Sequence, residues 1–311
     1  MNVLYAVNYF VFSVFLAMFM AEIGFAVITL MYYKQYMDKI KRFINPIWEV
    51  TGTFAVFYVV NYEVTYPTIL SIVGTAYAVP LLIAAIFIIL RNIFIAFSEY
   101  IGSERHERNF RYIYSLSTLI AAILAVAVLT SGISGTGITI GNNSIGLSFI
   151  LNPFNILMFI SLALFSLYIA TSLLKPARLY GLGIASLAIG FALGFVASYA
   201  YLPGFGASMG MNAPVVAAAL VLIAVTVILQ LRKTRYSGIF GIISIIILIN
   251  LFGLYRYPYV FGRSNLTAYM ASQALAVPAL IITAVGGAIV ALSLIALVYL
   301  SYLKSPPSKY P

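Results

Sequence analysis

The hydrophobic positions of this chain run in long blocks and do not alternate with polar positions. Each block is apolar throughout and is bounded by charged residues, prolines or glycines, and its length is close to or above the about 20 residues that an α-helix needs to cross a bilayer. Such blocks are typical of membrane-spanning helices. They cover residues 4–33, 46–64, 67–97, 112–135, 147–174, 182–202, 213–231, 238–255 and 268–303.

The blocks predict the fold class, an all-α polytopic transmembrane bundle of about nine helices. We expect two four-helix groups followed by one last helix, in a single integral membrane domain over residues 1–311. Within the 182–202 block, Gly183, Gly190 and Gly194 recur at a spacing that permits close contact with a neighbouring helix. Pro80 and Pro278 fall inside blocks, where membrane bundles tolerate kinks.

The composition agrees with a membrane protein and excludes a soluble domain. Hydrophobic residues make up 63% of the chain and charged residues 8%, whereas a soluble domain carries about a quarter charged residues. The net charge of +10 does not indicate nucleic-acid binding, because the bases follow the pattern of membrane topology.

The lysines and arginines concentrate in alternate loops, and the opposite loops hold only Arg256 and Arg263. Because bases accumulate on the cytoplasmic side of membrane proteins, this distribution predicts an outside N-terminus, a cytoplasmic C-terminus and a location in the plasma membrane. The predicted cytoplasmic bases are Lys34, Lys39, Lys41, Arg42, Arg105, Arg108, Arg111, Lys175, Arg178, Arg232, Lys233, Arg235, Lys304 and Lys309. The sequons at Asn142 and Asn265 fall on the predicted outer side, and both lie outside the residues that the structure describes.

Ionisable residues inside the predicted helices are the candidates for function, because a charge within the bilayer costs a few kcal/mol or more. Glu22 lies ~16 Å from the cytoplasmic end of the first helix, and Arg91 lies about 10 Å inside the third at 1.5 Å per residue. Glu49 follows Trp48 about one turn into the second helix, at a level similar to Arg91. Glu63 is close to the outer end and is expected to reach water.

Two interpretations of these charges remain open. In the structural one, Glu49 and Arg91 form a salt bridge that fastens the second and third helices. In the functional one, Glu49 is the mouth of a proton pathway and Glu22 its relay, with a partner for Glu22 on another chain because no base of this chain lies at its depth. Arg91 has two further alternatives, binding a propionate or lipid phosphate through its planar guanidinium and extending toward the interface.

The residues that the chain lacks restrict its chemistry. It has no cysteine and one histidine, His106, which lies in a charged loop. A haem ligated by histidine within the membrane part of this chain is therefore nearly excluded, and we expect no bound metal. The sequence also shows no nucleotide-binding loop and no nucleophile triad, so no catalytic residue is assigned to this chain.

Several short motifs, taken in order, resemble subunit II of cytochrome bd-type quinol oxidases across nearly the whole chain. That family has a tryptophan–acid pair opening helix 2, a Pro-Leu-Leu in helix 3 and an arginine closing that helix about 42 residues after the acid. The matching segments are Glu22-Ile23-Gly24-Phe25, Asn45-Pro46-Ile47-Trp48-Glu49, Tyr66-Pro67, Pro80-Leu81-Leu82, Leu90-Arg91-Asn92-Ile93-Phe94, Leu151-Asn152-Pro153-Phe154-Asn155 and Tyr257-Pro258-Tyr259 followed by Asn265-Leu266-Thr267.

The resemblance implies a haem-free subunit of a quinol:oxygen oxidoreductase. The partner, subunit I, would hold haems b and d and the quinol site, while this chain would support it and deliver cytoplasmic protons, with a bound quinone or lipid as a further expectation. The family's usual acid five residues after the arginine is Ala96 here, so only Glu22, Glu49 and Arg91 carry over to a proton pathway. The alternatives are a structural or assembly subunit of another respiratory complex and a proton-coupled secondary transporter.

Overall fold

The computed structural model shows a bundle of long helices in the part of the chain that it describes. That part comprises residues 3–100, 104–135, 151–175, 179–202, 205, 213–232, 237–257, 259, 277–279, 281–289, 292–293 and 296. The eight complete helices within it are α1 (Val3–Thr65), α2 (Pro67–Ala76), α3 (Ala78–Tyr100), α4 (Glu104–Ser134), α5 (Pro153–Leu174), α6 (Tyr180–Tyr201), α7 (Ala213–Leu231) and α8 (Ser237–Arg256). The all-α prediction is confirmed.

Six helical stretches are long and apolar enough to cross a membrane, and the first of them, Tyr5–Thr65, contains the first two predicted helices. Shorter apolar helices occupy Pro67–Ala76, Ser237–Gly253 and Val277–Ile289. The predicted last helix, 268–303, lies largely outside the described residues, but 277–279 and 281–289 are helical. The protein is therefore a multi-pass membrane protein.

Helix α1 is an antiparallel hairpin of two arms, which we call the first arm (residues 3–31) and the second arm (residues 33–65). They meet at Tyr32, whose non-helical φ of −137° and ψ of 28° interrupt the helix. Asn61 donates a hydrogen bond to Asn8 across the arms at 2.5 Å, and the rings of Phe25 and Phe43 stack at 6.2 Å. In both pairs, the two residue numbers add up to nearly the same value, so one number falls as the other rises. The arms therefore run antiparallel and in register.

The loop predicted between the first two helices is instead helical. Tyr36, Ile40 and Ile44 are buried along this segment, and their spacing of four residues places them on one helical face. Lys34 and Lys39 are exposed on the other face. The prediction of a loop was wrong because it used the length of apolar blocks and overlooked the amphipathic period.

The predicted helix 67–97 is divided at Tyr77, which lies between α2 and α3 with φ −112° and ψ 24°. The division falls just before Pro80, whose ring would clash with the carbonyl of Ala76 and which lacks an N–H to donate to it. The helix predicted from 112 begins earlier, at Glu104, because its charged first turns lie outside an apolar block. Helix α5 begins at Pro153, where the Asn152 side chain accepts a hydrogen bond from the Asn155 N–H at 2.9 Å.

The helices pack through glycines at their closest approaches. A Cβ added at Gly24 of the first arm would lie 2.1 Å from the Ser166 carbonyl oxygen of α5. At Gly183 of α6 it would lie 2.0 Å from the Thr171 hydroxyl, and Gly190 and Gly194 also face α5 side chains. The predicted role of the α6 glycines in close contact is confirmed, and Gly24 is a further position where the two backbones meet.

Candidate functional site

The centre of the candidate site is a buried ion pair between Glu22 of the first arm and Arg91 of α3. The Arg91 Nη1 donates to Glu22 Oε2 at 2.6 Å, and the side chains are 4% and 0% exposed. The Thr51 hydroxyl of the second arm lies beside this carboxylate but donates to the Ile47 carbonyl at 2.7 Å. The Glu22 Oε1 is buried and has no hydrogen bond of ordinary geometry.

A hydrogen-bonded network extends from this pair to the second arm. The Arg91 Nε donates to Asn92 Oδ1 at 3.2 Å, and the Trp48 Nε1 donates to the same oxygen at 2.8 Å. Trp48, Asn92, Arg91 and Glu22 therefore form one connected set across both arms and α3. Sequence reasoning assigned no role to Asn92, although an amide next to an arginine in an apolar helix is a signal that could have identified it.

The predicted Glu49–Arg91 salt bridge is not formed. Glu49 is exposed, and Arg91 pairs with Glu22. Side chains on a helix lean toward its N-terminus, and the second arm and α3 run in opposite directions. Glu49 and Arg91 therefore point apart, although the sequence placed them at one level.

The expectation that Glu22 has no basic partner in this chain was also wrong. The difference in estimated depth between Glu22 and Arg91, about 6 Å at 1.5 Å per residue, is within the reach of an extended arginine side chain. Glu22 neutralises the Arg91 guanidinium. The structure therefore supports neither extension of Arg91 toward the membrane interface nor its binding of a propionate or lipid phosphate.

A second charged cluster lies at the end of the bundle where α3 ends and α4 begins. The Glu107 carboxylate contacts Lys41 Nζ at 2.5 Å and Arg111 Nε at 3.0 Å. Arg111 also pairs with Glu99, and the Tyr33 hydroxyl donates to Glu107 at 3.5 Å. The Glu99 side chain is 38% exposed, whereas that of Arg111 is 2% exposed. The cluster thus connects solvent to the interior of the bundle.

An apolar cavity of about 160 Å³ lies among α1, α4, α5, α6, α7 and α8. Its lining is almost entirely aromatic and aliphatic, with Phe12, Phe165, Phe195 and Leu248 as examples and the Thr130 hydroxyl among the few polar groups. Such a lining suits a hydrocarbon chain better than a charged headgroup. Within the described residues, no group of three or more histidine, cysteine or acidic side chains is placed to hold a metal ion.

Comparison with known proteins agrees with this architecture. Residues 2–303 match the family model described as cytochrome bd terminal oxidase subunit II. A putative cytochrome bd menaquinol oxidase subunit II from Bacillus subtilis (strain 168) is 29% identical over 140 residues, which are 44% of this chain and 39% of that protein. The alignment therefore spans less than half the length of that curated relative.

The fold is also found in a solved structure, that of bd oxidase from Geobacillus thermodenitrificans. The match has a TM-score of 0.72 at 19% identity and covers 98% of this chain and 100% of the matched chain. The helical bundle and its buried ion pair define a polytopic membrane protein with a charged network inside the bundle. Since the family model matches nearly the whole length, the chain belongs to the cytochrome bd terminal oxidase subunit II family.

Proposed function

We propose that this chain is the haem-free subunit of a quinol:oxygen oxidoreductase in the plasma membrane, in which residues 1–311 act as one membrane domain. A partner subunit I holds haems b and d and the quinol site, oxidises quinol and reduces oxygen. This chain supports the partner and delivers protons from the cytoplasm through Glu22. The family match supports the subunit role, and the buried Glu22–Arg91 pair, an ionisable group kept inside a membrane bundle, is the observation that supports proton delivery.

The orientation and the apolar cavity belong to the same proposal. The distribution of the bases supports an orientation with the N-terminus outside and the C-terminus, with the Glu107 cluster, on the cytoplasmic side. The cavity among α1 and α4 to α8 accommodates a lipid or quinone chain. Proton uptake from the cytoplasm then starts at the end of the bundle where the charged side chains reach water.

A polar stripe on the second arm and α2 supports a protein partner at this surface. Most exposed residues of the stripe are polar or glycine, with three valines and one proline among them, whereas isoleucine and leucine predominate among the exposed residues of α3. Membrane helices pack against each other through small residues and interhelical hydrogen bonds. The stripe consists of Glu49, Gly52, Thr53, Val56, Val59, Val60, Glu63, Pro67, Thr68, Ser71, Gly74 and Thr75, and the leucine and isoleucine residues exposed on α3 are Leu82, Ile83, Ile86, Ile88, Ile89 and Ile93.

Glu49 indicates the chemistry of the partner helix. Its carboxylate is exposed close to the level of Glu22, because Thr51 of the same arm lies beside Glu22. Lipid cannot satisfy a carboxylate at that depth, and intramembrane acids pair with cations or donors on other helices. We therefore assign the polar stripe to a membrane helix of the haem-bearing partner that carries an arginine, a lysine or a hydroxyl opposite Glu49.

Replacing Gly52 by leucine is expected to release the partner while this chain stays folded. A Cβ at Gly52 meets no atom within 4 Å, so the isolated chain accommodates the side chain, whereas overpacking an interface costs about 1–3 kcal/mol. The measurement is haem bound per tagged chain after purification in mild detergent.

The matched control for this experiment is Gly181→Leu in α6. Gly181 is also exposed and a Cβ there also meets no atom within 4 Å, but it lies away from the polar stripe. We expect it to keep the haem content of the unmodified complex. Equal haem content in the two variants would show that the partner binds elsewhere.

A further inference from the structure

Several hydroxyl groups on the first arm of α1 and on α4 are buried without ordinary hydrogen-bond partners. The Thr29 Oγ1, the Ser115 Oγ and the Tyr114 hydroxyl are all buried and have no such partner, and the same holds for Glu22 Oε1 and Arg111 Nη1. The Thr118 hydroxyl is close to Tyr114 but donates to the Tyr114 carbonyl at 2.8 Å. Buried polar groups in proteins are normally satisfied by protein or by ordered water.

The packing of α1 against α4 brings these groups to neighbouring levels of the two helices. The rings of Tyr33 and Tyr112 meet at 5.7 Å. One helical turn further toward Glu22 on each helix places Thr29 and Ser115 at about the same level. Tyr114 lies close enough to both Glu22 and Arg111 for electrostatic interaction with them. Along the helix axes, the hydroxyls thus lie between the level of the Glu107 cluster and the level of the buried ion pair.

Ionisable groups at both ends distinguish these hydroxyls from isolated unpaired groups. At one end, Glu107 bridges Lys41, Arg111 and Tyr33 and is partly exposed. At the other end, the buried Glu22 Oε1 accepts no hydrogen bond of ordinary geometry. Buried waters typically bind about three otherwise unsatisfied polar groups, and the hydroxyls and the free carboxylate oxygen supply that number of partners.

We propose that a chain of bound water between α1 and α4, held by Tyr114, Ser115 and Thr29, carries protons from Glu107 to Glu22. This inference rests on the proposed function and deepens it, because it moves the entrance from Glu49 to Glu107. Each hydroxyl accepts a proton from one neighbour and releases one to the next, so no oxidation or group transfer is required. Glu49 remains on the surface assigned to the partner.

The first test detects the bound water directly and does not depend on enzyme turnover. Hydroxyl radicals generated by X-ray irradiation of the purified complex modify buried side chains next to bound water. Tyr114 and Tyr168 are equally buried, at 0% and 1% exposure, but Tyr168 receives a hydrogen bond from Gln230 Nε2 at 3.2 Å. We expect Tyr114 to be modified several times faster. Equal rates for the two tyrosines would overturn the proposal.

The second test measures proton supply in the assembled complex. Tyr114→Phe and Ser115→Ala are expected to slow quinol-driven oxygen consumption by about tenfold, in line with the loss of a positioned proton-transfer group, and to raise the solvent deuterium isotope effect. Ser186→Ala in α6 is the control, because Ser186 is equally buried and its hydroxyl donates to the Leu182 carbonyl at 2.8 Å. Unchanged rates in both variants of a complex with normal haem content would refute the pathway.

These outcomes separate the inference from the proposed function. If the unmodified complex does not reduce oxygen, the oxidase proposal fails, while the modification rates of Tyr114 and Tyr168 still report on the water. If it does reduce oxygen and Tyr114 behaves like Tyr168, only the water chain fails.

Discussion

Replacing Arg91 by methionine is expected to lower the free energy of unfolding by about 3–5 kcal/mol, the usual effect of removing one partner of a buried ion pair. Glu22 is 0% exposed and one of its oxygens already lacks a hydrogen bond, so the variant leaves an uncompensated carboxylate inside the bundle. The measurement is denaturant-induced unfolding of the purified protein in detergent.

The double variant Glu22→Met/Arg91→Met shows whether the pair itself is responsible. Removing both charges together is often neutral or stabilising, so we expect it to regain most of the stability lost in the single variant. Arg232→Met is the control, because Arg232 is exposed and such substitutions change stability by less than about 0.5 kcal/mol. A single variant as stable as Arg232→Met would contradict the buried pair.

Replacing Glu22 by glutamine is expected to slow oxygen reduction by about tenfold or more, because the amide cannot carry a proton between donor and acceptor. The haem spectrum of the complex should persist, since Glu22 is assigned to proton transfer and not to haem binding. The measurement is oxygen consumption per haem with a quinol as the electron donor.

Two further variants distinguish loss of proton transfer at Glu22 from a purely structural effect of the substitution. Glu22→Asp keeps the carboxylate beside Arg91 and should retain more activity than the glutamine variant. Asp38→Asn removes an exposed acid and should leave the rate unchanged. If glutamine and aspartate at position 22 give the same rate in complexes of equal haem content, Glu22 is not a proton carrier.

The sequence predicted the helices best where apolar blocks coincide with them. The 213–231 block matches α7 at both ends, and the 182–202 block matches α6 within two residues. It failed where a helix continues with charged or amphipathic residues, as at Lys34 to Ile44 and at the first turns of α4. The length of an apolar block indicates how much of a helix contacts lipid. It does not indicate where the backbone hydrogen bonding of the helix ends.

The sequence predicted which residues form the candidate site, but it did not predict which of them pair with each other. Glu22 and Arg91 were singled out because each is a charge within an apolar helix, and the structure shows that they form one pair. The pairing could not be obtained from depth alone, since it depends on which way each side chain points along its helix. The hydroxyls of Tyr114, Ser115 and Thr29 were missed because serine, threonine and tyrosine are common in membrane helices, and only packing shows which ones lack partners.

The central claim, a haem-free subunit bound to a haem-bearing partner, is tested most directly by one spectrum. This chain would be tagged, purified gently in mild detergent, and examined by reduced-minus-oxidised absorbance. We expect absorbance bands of b- and d-type haem and co-purification of a second, larger membrane protein. A colourless preparation of this chain alone, still folded, would contradict the oxidase assignment.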